Sequence, residues 1–477
     1  MKFPAHTSHE QPGLLRALGP GMSTAIVVGG VIGSGIFAKP GIIAAAAGDF
    51  RIIISAWVVG GVLSMLGALC FAELATMLPH AGGIYVYLRE AFGKPIGFLF
   101  GFNEFLFGRP ASIGALAMFF VTPLLKFFPQ NSQVWAQAFL AVVMIAALAW
   151  VNIRGVLWAG HVQGWTTLIK SLFLGGLALT PFVLSALGFD SGLSLAHYNS
   201  RVEPLYSDFF HQFAAVLLAV MWAYNGWHDV APVAEEIKEP QKNIPLAFIL
   251  GVGIVIALYV AANLAYHGVL TMAEIRDAKN STPQFAIARM FRTFGSEAAH
   301  VGTLMIDAVI MCSAFGALNA NLLLGPRISF AMGRDKTFIN RLGNVHKDYR
   351  TPSDSILVQA GLSAILVILA AGIIEFVPVF KHKNPFDLLT DTVVYSASVF
   401  YMLGVIAVFV LRVRHPDWDR PYRTWGYPAV PALFLLGYTL FMALAVQAQP
   451  FEGLTGLILA IAGFPVYYAW QALAPKA

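Results

Sequence analysis

Val28-Gly29-Gly30-Val31-Ile32-Gly33-Ser34-Gly35-Ile36-Phe37 lies in the middle of an apolar stretch, residues 21–47. A stretch of that length can cross a hydrocarbon core about 30 Å thick. Glycine costs a helix interior about 1 kcal/mol relative to alanine. In lipid, each backbone amide freed by an interruption must also find a new partner. A run with glycine at four of ten positions therefore predicts an interrupted helix at mid-depth, and such interruptions persist where they line a cavity. Close packing of small residues against a neighbouring helix is the competing explanation.

The rest of the chain fits a membrane setting. Of 477 residues, 58% are hydrophobic and only 12% charged, too few charges to cover a soluble protein of this size. Twelve membrane-length segments are expected, with neither a soluble domain nor a cleavable leader, because the first segment is too long for one. An even number places both termini on one side. Arg327, Arg334, Lys336, Arg341, Lys347 and Arg350 lie on that side, together with the greater share of the remaining Lys and Arg. The positive-inside rule makes it cytoplasmic. The net charge of +5 then reports orientation, and a nucleic-acid surface is not expected. Cys70 and Cys312 both fall in apolar segments, which excludes an extracellular disulfide framework. No metal-ligand spacing and no phosphate-binding glycine loop occur, so no metal, no cofactor and no enzymatic activity are expected.

A second interruption is expected at Met221-Trp222-Ala223-Tyr224-Asn225-Gly226-Trp227-His228-Asp229, within segment 208–233. Asn-Gly is a turn dipeptide, and an aspartate in mid-helix must face protein or water. The two interruptions fall in the first and sixth segments, five apart. Two repeats of five helices then have opposite orientation, because the sixth helix enters from the side opposite to the first. The expected divisions are 21–187 and 208–411 for the repeats and 428–474 for two further helices. Paired interruptions in inverted halves point to a transporter binding site.

The ordered motifs resemble those of APC-superfamily amino-acid permeases, most closely the L-type amino acid transporters and their bacterial relatives. Gly33-Ser34-Gly35-Ile36-Phe37 matches that group's GSGIF, and Glu73-Leu74 through Pro79 to Gly82-Gly83-Ile84-Tyr85 its second-helix pattern. Arg109-Pro110-Ala111-Ser112, Tyr224-Asn225-Gly226-Trp227, Glu235-Glu236-Ile237-Lys238 and Arg327 through Arg334-Asp335 follow in the same order. The resemblance implies an all-α integral membrane protein of the LeuT-type 5+5 fold with twelve transmembrane helices, the first and sixth broken. It implies alternating-access transport of neutral L-amino acids without sodium, chiefly by exchange, with proton symport as the alternative. A membrane receptor or channel is the alternative from another class. A receptor would need a soluble signalling domain, and a channel a continuous polar lining.

The expected substrate-binding residues are Val31, Ile32, Gly33, Ser34 and Gly35 in the first break, and Trp222, Ala223, Asn225 and Gly226 in the second. Main-chain N–H groups opening at Ser34 and Gly35 suit an α-carboxylate. Carbonyls near Val31, and by resemblance at Trp222 and Asn225, suit an α-ammonium. By resemblance Trp222 is the aromatic that closes over the substrate; packing against other helices is its ordinary alternative. Asn225 stands where many L-type relatives have glycine, and its added volume favours small substrates such as alanine, serine or glycine. No acidic residue in this pocket is expected to be placed to hold a cationic side chain, which argues against arginine or lysine as the main substrate.

Lys170 sits in mid-segment, where a charge marks function by default; snorkelling to the interface is the alternative. The resemblance places it where sodium-coupled relatives hold a sodium ion, bridging the carbonyls near Gly29 and Gly30 to Ser313. It would act there as a tethered cation or as a proton carrier. Glu104 and Arg109, five residues apart on one helix, are expected to pair with other helices instead of each other. Glu235 and Glu236 are expected to form a solvated end of the sixth segment, with the latching of an inward gate as the alternative. Animal L-type transporters join a single-span glycoprotein through a cysteine in the loop after the third helix. Here Lys126 to Ser132 contains none, so a stand-alone carrier in the plasma or bacterial inner membrane is expected.

Overall fold

A computed structural model describes residues 13–127, 133–377, 385–448 and 450–473. Most of the 126–132 loop, from residue 128 onward, thus lies outside the described residues. The described residues are nearly all helical and contain no strand longer than an isolated bridge. This follows from the composition: in lipid a backbone must satisfy its own hydrogen bonds, and a helix does so within one segment.

Eleven helical runs are long and apolar enough to cross a membrane. The segment expected as the sixth of twelve falls short of that length, because its helix, Phe209–Tyr224, stops after 16 residues. Asp208 caps its start by accepting from the His211 amide at 3.0 Å. Beyond Tyr224 the chain turns through Asn225 and Gly226 before tightening into a 3-10 helix, Ala231–Glu236. The first segment is likewise divided. A helix runs from Pro20 to Val31, the chain unwinds over 32–34, and helix resumes at Gly35–Ala38 and Pro40–Ala47.

The first divided segment packs against helices Val156–Ala186, Pro240–Val269 and Ser296–Arg334, while Phe209–Tyr224 packs on Phe50–Met77 and Ala429–Ala448. Both breaks are thereby enclosed by protein. Large apolar side chains such as Phe139, Trp158, Trp165 and Leu172 remain on the outer surface, as expected where lipid is the solvent.

One end of the bundle is sealed by ion pairs. Arg327 and Glu236 are both 0% exposed, joined by Nε–Oε1 at 2.8 Å and Nη2–Oε2 at 3.1 Å. Arg334 grips Glu235 through two bonds of 3.0 Å, and Asp335 meets both Arg89 and the Tyr85 hydroxyl. The amides of Ala17 and Leu18 donate to the Glu236 carbonyl at 3.0 Å each. Glu235 and Glu236 therefore do not end in solvent. A buried arginine from the long helix Ser296–Arg334 draws Glu236 inside, an interaction that spacing within the sixth segment does not reveal.

Candidate functional site

The two breaks meet. A Cβ built on Gly35 would lie 2.5 Å from the Cα of Ala223, so only glycine permits this approach. Gly226 is the other position where glycine is required, since its φ of +103° belongs to the left-handed side. The turn there is held by side chains. The Gly226 amide donates to Asn225 Oδ1 at 3.0 Å, and the Tyr401 hydroxyl donates to the same oxygen at 2.6 Å.

Unwinding leaves main-chain groups open. Gly33 N–H turns back to the Val31 carbonyl at 2.7 Å, and the resumed helix begins with Phe37 and Ala38 donating to the Ser34 carbonyl. Between them the N–H groups of Ser34, Gly35 and Ile36 meet no acceptor among the described residues. The Ser34 hydroxyl, only 2% exposed, has no partner either. Buried polar groups are ordinarily satisfied, and this cluster of donors has no protein acceptor among the described residues.

Beside them lies a cavity of about 50 Å³. At roughly 10–15 Å³ per water on this measure, it has room for about three to five water-sized groups. Gly30, Val31, Gly33, Ser34, Gly35, Trp222, Asn225 and Gly226 line it, so most of the sequence-predicted residues come together here. Ile32 and Ala223 do not line it. The Ile32 carbonyl points to the opposite side of the break, and Ala223 fills the contact with Gly35.

Two of the carbonyls expected to be open are occupied. The Tyr259 hydroxyl lies 2.9 Å from the Val31 carbonyl and 3.0 Å from that of Ala223. The Trp222 carbonyl accepts from the Asn225 amide at 3.1 Å. The Gly30 carbonyl, by contrast, receives no donor among the described residues.

The cavity wall also carries charge that the sequence reading did not place there. Glu104, Arg109, His228 and Asp229 all line it. Arg109 Nε donates to Glu104 Oε2 at 2.8 Å within one helix, against the expectation that residues five apart cannot pair. A π-helical turn, Glu104–Gly108, is the reason: widening the helix by one residue brings positions i and i+5 onto one face. Arg109 also donates to Asp229 Oδ1 at 2.8 Å and to Asn321 Oδ1 at 3.0 Å. Both carboxylates are thus engaged by one guanidinium. The only advance sign of this wall was the mid-segment position of Asp229; Asn321, Tyr259 and Tyr401 had none.

On the far side of the first break, Lys170 is 0% exposed. Its Nζ donates to the Gly29 carbonyl at 2.6 Å and also reaches the Ile32 carbonyl. Ser313 Oγ lies 3.0 Å from the carbonyls of both Ile32 and Gly33. Lysine and serine therefore converge on the Ile32 carbonyl, Lys170 also reaching Gly29 and Ser313 also Gly33. Gly30 faces the other way, toward Asp229, whose Oδ2 would lie 2.8 Å from an added Cβ. Among the described residues, no group of three or more His, Cys, Asp or Glu is placed to hold a metal.

Residues 18–467 match the family described as amino acid permease. The chain is 32% identical to the serine/threonine exchanger SteT of Bacillus subtilis (strain 168), covering 97% of this chain and 98% of that one. It is 26% identical to Asc-type amino acid transporter 1 of Mus musculus, over 96% of this chain and 82% of the relative. It is 28% identical to large neutral amino acids transporter small subunit 2 of Homo sapiens, over 96% and 81% respectively.

Proposed function

The chain belongs to the amino acid permease family, and from that premise we propose a sodium-independent carrier of small neutral L-amino acids that works by alternating access, chiefly as an exchanger. The observation that carries this reading is the group of unpartnered donors in the first break. Ser34 and Gly35, with their open amides and the Ser34 hydroxyl, line a cavity of about 50 Å³. These donors suit an α-carboxylate, and the Gly30 carbonyl suits the α-ammonium. A zwitterion is then held by main-chain dipoles, avoiding a further buried charged side chain that would cost several kcal/mol.

Substrate size follows from the small cavity and from Asn225, whose side chain is fixed against it by Tyr401. The names of the relatives, a serine/threonine exchanger and neutral amino acid transporters, support the same substrate class. Lys170 serves as a tethered cation at the unwound backbone, in the role that a bound sodium ion would otherwise fill. The bias of basic residues supports a plasma or inner membrane location with both termini cytoplasmic, which makes the ion-paired end the closed inner gate. Helices 21–187 and 208–411 form the two inverted repeats, and the carrier works without a disulfide-linked heavy chain.

Reconstitution in liposomes with labelled alanine tests this. Uptake is expected into alanine-loaded vesicles and not into empty ones, and a sodium gradient is expected to add nothing. Equal uptake into empty vesicles overturns exchange, and no uptake under any condition overturns the carrier.

A further inference from the structure

The cavity wall contains more negative than positive charge. Glu104 and Asp229 share one cation, Arg109, whose side chain is 6% exposed against 9% and 2% for the two acids. His228 does not supply the missing positive charge. Its Nε2 lies 3.4 Å from Arg109 Nη2, which only donates, and farther, at 3.7 Å, from Asp229 Oδ1, so the nearer contact favours an accepting Nε2 and a neutral ring. The remaining ring proton then sits on Nδ1, which is buried and without a partner. The other groups facing this cluster are the Tyr401 phenol and the Asn321 amide from neighbouring helices, and Ser34 from the first break. All three are neutral. Lys170 is committed to carbonyls on the opposite side of that break.

With both acids ionised the wall would hold an uncompensated charge at mid-depth, a state that costs several kcal/mol. Two carboxyls sharing a site resolve this by keeping one proton between them. Asp229 lies opposite the Arg109 terminal nitrogen, and its other oxygen is packed close to Gly30 and Gly226. Glu104 meets Arg109 through Oε2 alone, and its side chain is 9% exposed against 2% for Asp229, so its free Oε1 is the carboxyl oxygen more open to a proton from water.

We propose that Glu104 is a proton-binding site in the cavity wall: one proton from the aqueous phase resides on its carboxyl, neutralises the Glu104–Arg109–Asp229 cluster, and must be in place for an amino acid to bind. The second half of this statement rests on the transport reading; the first half does not.

Infrared spectroscopy of the purified full-length protein in detergent reads the proton directly. At neutral pH a carbonyl band of a protonated carboxylic acid is expected, shifted by ¹³C-labelled glutamate and unmoved by labelled aspartate. It is expected to vanish in Glu104→Gln. It is also expected to vanish in Asp229→Asn, where the surplus charge is gone and Glu104 pairs with Arg109 as an anion; this second variant keeps the test usable should the first fail to fold. A band that ignores glutamate labelling, or survives Asp229→Asn, overturns the site. Binding of labelled alanine tests the linkage. The apparent Kd of the wild type should rise about tenfold per pH unit on the alkaline limb and stay flat in Glu104→Gln. An equal rise in the variant overturns the linkage. A wild type that binds no amino acid at any pH, yet shows the glutamate band, removes the transport reading and upholds the proton site.

Discussion

Tyr259 donates to the Val31 carbonyl at 2.9 Å, and the same hydroxyl reaches Ala223 at 3.0 Å. One phenol thus spans both interrupted helices at the point where each loses its own hydrogen bonding. Losing that hydroxyl leaves two buried carbonyls short of a donor, at about 1–3 kcal/mol for an unsatisfied buried group. Tyr259→Phe should therefore lower the thermal midpoint in detergent and slow uptake. An unchanged midpoint would show that the two breaks are held together by packing alone.

Lys170→Ala removes a fully buried donor from the Gly29 carbonyl and one of the two donors to the Ile32 carbonyl. By the same magnitude, uptake should fall about tenfold or more at every pH. Unaltered kinetics across pH would show that the ammonium has no role in transport.

Contact between Gly35 and Ala223 tolerates no side chain, so Gly35→Val should abolish uptake while leaving the protein in the membrane. Gly253, in the helix Pro240–Val269, provides the contrast. A Cβ there would meet only Met65, at 3.9 Å, and Gly253→Ala should raise helix stability by about 0.5–1 kcal/mol with uptake intact. Equal effects of the two substitutions would refute the close approach of the breaks.

Asn225→Gly deletes a side chain that limits the cavity. A change of that size in a pocket is worth about 1–3 kcal/mol of discrimination, so uptake of leucine relative to alanine should rise about tenfold or more. Wild-type uptake of tryptophan equal to that of alanine would already refute the size argument.

Glu235 lies at the sealed end, beyond the membrane-spanning helices. Burial pushes its carboxyl up, but the hydrogen bonds and charge of Arg334 outweigh this and hold it below the ordinary value of 4.5. A carboxyl with a lowered folded-state value stabilises fully above the ordinary value and loses that contribution as pH falls through the lowered one. Thermal midpoints of the wild type should therefore exceed those of Glu235→Gln at neutral pH and converge with them below about pH 4. A gap that persists in acid would assign the difference to something other than charge.

The breaks were legible in the sequence because Gly29 to Gly35 and Asn225-Gly226 violate helix propensity where lipid makes violation expensive. Lys170 was legible as a lone charge in an apolar run. Arg109 bonds to other helices as expected, at Asp229 and Asn321, but its pair with Glu104 was missed because helical periodicity assumes 3.6 residues per turn, and a single wide turn changes which side chains are neighbours. Tyr259 carried no signal, being one aromatic in a helix otherwise suited to packing. Glu236 looked like a solvated terminus because its partner, Arg327, lies 91 positions away in the chain.

The helix Ser296–Arg334 runs 39 residues, about 58 Å at 1.5 Å per residue. Ser313 touches the unwound backbone, Asn321 the cavity, Arg327 and Arg334 the sealed end. A single rod therefore passes three stations of the transport cycle, and displacement at one is mechanically transmitted to the others. Pro326 falls between the second and third, where a missing amide weakens the ladder. Transmission along the rod is therefore weakest between the cavity and the sealed end.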